Sequence, residues 1–86
     1  MEKMFFLDGE VLSIILPQSH TMADINLMAT AEIQELIPQL FGKNVKINGR
    51  CTTALALLLG HTLAHVCKSV SIFDPKENEY VKCISH

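Results

Sequence analysis

The chain is short of charge. Only 19% of its 86 residues are Asp, Glu, Lys or Arg, while 49% are hydrophobic. That is apolar for a small soluble protein, so part of the surface is expected to be covered in an oligomer. A basic excess is missing too: 7 Lys+Arg against 9 Asp+Glu give a formal net charge of −2. This argues against a general nucleic-acid binder, DNA included, because such a protein needs a broad positive field to offset phosphate charge. A small anion held by a few placed cations is still allowed. No long hydrophobic run is present either. The longest uncharged apolar stretch, residues 54–60, is far short of the roughly 20 residues of a membrane span, so no membrane is expected. Cys51, Cys67 and Cys83 are odd in number and form no Cys-x-x-Cys pair. They cannot build a disulfide framework, and with no signal peptide evident they fit a reducing, cytoplasmic setting. With no repeats, low-complexity segments or linkers, residues 1–86 read as one domain near the lower size for a self-sufficient core.

What is there is well punctuated. Residues 4–7 and 11–16 are apolar runs separated by Asp-Gly-Glu, and Asp8-Gly9 is a hairpin signal because Gly accepts the positive φ of a tight turn. Pro17 ends the second strand, and Ser19 or Thr21 can cap a helix. From Met22, apolar residues recur at three- and four-residue steps through Ile25, Met28, Ala29, Ile33, Leu36, Ile37 and Leu40, the pattern of an amphipathic helix that Pro38 should end or kink. Residues 45–48 read as a short strand leading into Asn48-Gly49-Arg50. Residues 52–68 read as a second helix, residues 70–74 as a strand stopped by Asp74-Pro75, and residues 80–84 as a last strand. The expected order is ββαβαββ, an α/β fold. Its middle is a right-handed βαβ unit with parallel strands, in which ligands bind beyond the carboxyl ends of the strands.

Those ends carry the most distinctive polar clusters. In Asn48-Gly49-Arg50-Cys51-Thr52, a helix N-terminus with its free N–H groups, the Arg50 guanidinium and a Thr52 hydroxyl could cradle a phosphate, and Gly49 would let the ligand come close. The plainer reading is a turn glycine followed by a threonine cap, and the segment is neither a Walker loop nor a dinucleotide fingerprint. Asp74 could bind a divalent metal, with Lys76 as a point charge for phosphate, or Asp-Pro could simply be a strand-ending turn. His61 and His65, four apart, share a helix face and suit two ligands of one transition metal. They lack the Glu of a His-Glu-x-x-His metalloprotease, and two helix histidines are more often solvent-facing or core-edge residues. Ser85-His86 closes the sequence, and His20 adds a further imidazole.

Direction separates these groups. The helix starts near Arg50 and runs back, so His61 and His65 approach the opposite end of the domain. The last strand also runs back, which puts Asp74 and His86 roughly 17–20 Å apart at about 3.3 Å per strand residue. Arg50 and Asp74 are therefore expected at one pole and His65 and His86 at the other. If all serve one reaction, a second subunit must bring the other pole.

Asn-Gly-Arg after a strand, a hydrophobic helix with late histidines, a strand ending Phe-Asp-Pro-Lys and a closing Ser-His together resemble a small CRISPR-associated family. It is the stand-alone manganese-dependent ring nuclease of type III systems, a member of the Csx group. The detailed resemblance covers residues 45–86. It implies a compact ferredoxin-like, Rossmann-related domain that binds and cleaves cyclic tetra-adenylate, switching off antiviral signalling, with RNA 3′-deadenylation as a further activity. It also implies homodimers that stack into tetramers or filaments around the ligand. By position, Asn48, Gly49, Arg50, Cys51, Thr52 and Ser85 would hold the substrate. Asp74 and His65 would hold Mn2+, and His65, His61, Asp74, Lys76 and His86 would be catalytic. Three features depart from the family pattern: Lys76 stands where arginine is usual, Cys51-Thr52 replaces Gly-Pro, and the two histidines are spaced one residue wider.

The mechanism implied is phosphodiester cleavage with divalent-cation charge neutralisation, a histidine as acid or base, and Arg50 and Lys76 at the developing negative charge. The rival reading is a non-catalytic cyclic-oligoadenylate or nucleotide-binding oligomeric domain in which the histidines are incidental. A third is a subunit of an unrelated metal-binding complex.

Overall fold

A computed structural model of the protein describes residues 3–18 and 20–85. Its elements are β1 (Phe5–Asp8), β2 (Val11–Ile14), α1 (Met22–Leu40), β3 (Asn44–Gly49), α2 (Thr53–Val66), β4 (Ser69–Asp74) and β5 (Glu79–Ser85). This is the ββαβαββ order expected, with element ends shifted by a residue or two. The five strands form one sheet in chain order, β1-β2-β3-β4-β5. The three inner strands β2, β3 and β4 are parallel, and β1 and β5 pair antiparallel at the edges. No helix among the described residues is long and apolar enough to cross a membrane.

Each local choice has a cause. β1 and β2 are joined by the two-residue turn Gly9-Glu10, closed by the pair Asp8–Val11, and Gly9 takes the φ of +62° that such a turn requires. Thr21 caps α1 by accepting from the Asp24 N–H at 3.1 Å, and Thr52 caps α2 by accepting from the Leu55 N–H at 3.0 Å. Ser19, the alternative cap, lies outside the described residues. Pro38 does not end α1. It stands in the last turn, where its ring removes one helix bond but the helix continues to Leu40, whose side chain is fully buried. Burial of Leu40 offsets the missing bond.

Both helices lie on the same side of the sheet. Phe5, Leu12, Ile14, Val45, Ile47 and Val70, which share a sheet face by register, bury themselves against Ile25, Ala29 and Ile33 of α1 and Leu55, Leu59 and Leu63 of α2. Each of these side chains other than that of Ala29 contributes roughly 1.5–3 kcal/mol by leaving water. Same-sided helices are what successive right-handed crossovers in one direction produce. The other face of the sheet carries no helix.

A tie invisible in the sequence closes the far edge. The Glu32 carboxylate of α1 accepts from the backbone N–H of Met4, at 2.9 and 3.1 Å, and from that of Phe5. A helix side chain thus satisfies the first donors of the edge strand, and charge-assisted bonds of this kind are the stronger ones.

Candidate functional site

The parallel strands give the molecule two distinct ends. At the carboxyl pole, β2, β3 and β4 finish and both helices begin; at the amino pole, the same strands begin and both helices finish. The 48–52 segment and Asp74 share the carboxyl pole. The register pairing Ile47 with Ile72, carried two residues on, sets Gly49 level with Asp74 on the neighbouring strand, at a strand spacing of about 4.8 Å.

At that pole Arg50 is exposed and forms one wall of an open depression of about 410 Å³ whose other walls are Ile14, Ile15, Leu16, Pro17 and Gln18. The 15–18 loop is thus a part of the candidate site that sequence reading missed. It follows an ordinary strand end and bears no charged residue, so nothing in its composition marks it. Half-buried Thr52 is the helix cap, its oxygen already accepting the Leu55 N–H while its hydroxyl proton remains free to donate. Half-buried Asn48, next to last in β3, lies on the sheet face opposite the helices.

Gly49 has a different reason to be glycine from the one its position suggested. Its φ is +110°, and an added Cβ would collide with the backbone carbonyl oxygen of Ile14 on β2. The absent side chain lets two strands approach, a structural need that stands whether or not a ligand comes near. Cys51 is half-buried and burial pushes its thiol pKa up, so it is a neutral side chain rather than a thiolate nucleophile. Cys67, buried under α2, is raised for the same reason.

Asp74 is half-buried, and its Oδ1 accepts from the Lys76 N–H at 3.0 Å. That bond closes the turn after β4, so one carboxylate oxygen has the plain turn-forming role. Lys76 itself is exposed on the turn, and Asn78, at φ +54°, completes the reversal into β5.

The histidines lie elsewhere. His61 and His65 project from the exposed side of α2, their rings meeting edge to face with centroids 4.8 Å apart. Leu55, Leu59 and Leu63 define the buried side, so at 100° per residue the histidines point away from the sheet. His65 lies in the last turn of α2, where a cationic imidazole would complement the helix dipole. It is twelve residues, about 18 Å, from the α2 N-terminus and therefore at the amino pole. Ser85 is there as well, paired with Ser69 at the start of β4, while His86 lies outside the described residues.

Two exposed lysines unmarked by any motif, Lys43 and Lys68, join this pole. The Lys68 N–H donates to the Lys43 carbonyl at 2.9 Å, holding the two segments together. One chain therefore brings together Asn48, Gly49, Arg50, Cys51, Thr52, Asp74 and Lys76, and separately His61, His65 and Ser85. Asp74 and His65 make no metal centre within one chain, and the described residues contain no group of three or more His, Cys, Asp or Glu side chains suited to a metal ion.

Compared with known proteins, the chain matches no protein-family model, no curated protein and no solved structure.

Proposed function

We propose that this chain is a phosphodiesterase of the small CRISPR-associated ring-nuclease family, cleaving cyclic tetra-adenylate in the cytoplasm and so ending type III signalling. RNA 3′ ends are its second substrate. The observation that carries the reading is the gathering of a helix N-terminus, Arg50, Asp74 and Lys76 at the carboxyl pole, where an α/β sheet presents its ligand site. The sequential strand order supports the Rossmann-related half of the implied fold more than the ferredoxin-like half, because each crossover joins adjacent parallel strands.

In this proposal the free N–H groups of the α2 N-terminus and the Thr52 hydroxyl bind a phosphate. Arg50 grips its oxygens bidentately, and Lys76 adds a point charge as negative charge develops. The adjacent imidazoles His61 and His65 move protons to and from the reacting oxygens. They belong to a second subunit stacked pole to pole, because their own chain holds them at the far end. Asp74 of one subunit and His65 of the stacked subunit would hold manganese, which would supply charge neutralisation at the phosphate. Exposed Leu57 on α2 and Val81 on β5, beside an apolar cleft of about 140 Å³ between these two elements, supply surface for a dimer.

A binding-only reading has one observation in its favour: the Thr52 oxygen and one Asp74 oxygen are both engaged in local capping and turn bonds. Labelled cyclic tetra-adenylate, incubated with and without manganese, separates the two. Linear product that vanishes in Asp74→Ala and His65→Ala supports the enzyme. Tight binding with no product under any metal leaves the binder, and no binding removes the family reading altogether.

A further inference from the structure

The sheet face without helices has a composition of its own. By register, Phe6 lies beside Ser13, Ser13 beside Asn48, and Phe73 beside Tyr80, so this level of the face has aromatic rings toward both edges and small polar groups at its centre. The next level carries Asp8, Val11, Lys46, Ser71 and Lys82. The Phe73 and Tyr80 rings meet at 5.3 Å between centroids with planes at 65°. The Lys46 ammonium sits 5.7 Å from the centre of the Tyr80 ring, and at the other edge the Lys3 ammonium sits 5.3 Å from that of Phe6. Three cations thus outnumber the carboxylate of Asp8 on one surface of a chain whose net charge is −2.

This is poor material for packing against another sheet, which needs a largely aliphatic inner face. The centre here is serine, asparagine and lysine. Rings that offer their surfaces to flat ligands, with flexible cations alongside, are instead the physical requirements for single-stranded nucleic acid. Bases stack on aromatic faces while lysines meet the backbone, and a bare sheet face is a common platform for it. A duplex does not fit this chemistry, because its bases are already stacked on one another.

We propose that the helix-free sheet face binds a short stretch of single-stranded RNA, with Phe73 and Tyr80 stacking on bases and Lys46 and Lys82 meeting phosphates. Phe6, three to four strand spacings away or about 14–19 Å, stacks a further base of the same strand. The surface adjoins the carboxyl-pole site through Asn48 and does not depend on that site's function. Only two or three phosphates are neutralised, so binding is weak and sequence-tolerant. That is consistent with a chain too acidic to hold nucleic acid over its whole surface.

The chain supplies its own reporter: Tyr80 is the single tyrosine and there is no tryptophan, so intrinsic emission reports on this face alone. A mixed-sequence single-stranded RNA dodecamer is titrated into the protein, with correction for RNA absorbance, beside the same sequence as a duplex. The expected result is saturable quenching by the single strand and not by the duplex, with a log–log salt slope of about −1.4 for two phosphates. Lys46→Gln with Lys82→Gln, both at exposed positions, should weaken binding about tenfold and bring the slope toward zero. Phe73→Leu, checked for folding by circular dichroism, should weaken binding while the salt slope stays. Unquenched Tyr80 emission at millimolar RNA overturns the proposal. So does quenching unaffected by the lysine changes, or a sedimenting dimer that Lys46→Glu dissociates, which would give the face to a second copy. Loss of cyclic tetra-adenylate cleavage in pole variants leaves this quenching intact, so the two readings fail separately.

Discussion

Asp74 and Ser85 stand at opposite ends of the β4–β5 ribbon. Asp74 pairs with Glu79 beside the turn, and Ser85 pairs with Ser69 at the start of β4. Five strand steps separate the two levels, about 17 Å. The α2 helix repeats this separation, with its capped N-terminus near Arg50 and His65 in its last turn. Every element of the proposed chemistry is therefore divided between two poles, and the predictions below turn on that division.

Thr52 is the sharpest place to separate capping from binding. Aspartate caps a helix as well as threonine does, so Thr52→Asp should leave thermal stability within about 0.5 kcal/mol of the parent. Thr52→Ala should cost about 1 kcal/mol. If the α2 N-terminus holds a phosphate, the new carboxylate repels it, and cyclic tetra-adenylate affinity should fall more than tenfold in the stable Thr52→Asp protein. Calorimetry on the two variants reads both quantities. Unchanged affinity in Thr52→Asp would leave Thr52 with its capping role only.

Gly49 should tolerate no side chain. At φ +110° with the Ile14 carbonyl against its Cα, Gly49→Ala combines backbone strain with a collision between strands. Its cost is expected at about 2 kcal/mol or more, read from the shift of a urea unfolding curve at constant slope. Gly60 is the control, since a Cβ there meets nothing within 4 Å. Gly60→Ala should stabilise α2 by up to about 1 kcal/mol.

Two thiols, one half-buried and one buried, set an alkaline limit. Cys51 and Cys67 both have their pKa raised above 9.0 by burial, so the folded chain holds these protons more tightly than the unfolded chain. Stability from this source is fully present below pH 9.0 and is lost as the pH rises through the raised folded values. Comparing the parent with Cys51→Ala, Cys67→Ala in urea at about pH 8 and about pH 10 isolates the effect. The parent should lose more stability than the double variant over that interval. Equal losses would mean that the thiols ionise alike in both states.

The punctuation of the chain made much of the fold legible. Asp8-Gly9, Asn48-Gly49 and Asp74-Pro75 marked strand ends, and Ser19 or Thr21 and then Thr52 marked helix starts, so the order and the two poles followed from directions alone. Side-chain facing was less accessible. Phe6 and Phe73 read as members of apolar runs, and only the register puts them on the bare face of the sheet with Tyr80. Glu32 looked like any polar helix position, because its partners, the Met4 and Phe5 N–H groups, are 28 and 27 residues away. The same holds at the site. Arg50 and Asp74 were visible as strand-end residues, whereas the loop wall from Ile15 to Gln18 depends on β2 lying beside β3.

The central claim is that one reaction needs the carboxyl pole of one chain and the amino pole of another. Mixing purified, separately inactive Asp74→Ala and His65→Ala proteins tests it most directly, with cyclic tetra-adenylate cleavage in manganese as the readout. Random pairing at equal amounts leaves about a quarter of pole-to-pole contacts with both residues intact. The mixture should therefore recover about a quarter of the parent activity. A mixture as inactive as its two components would contradict a site shared between subunits.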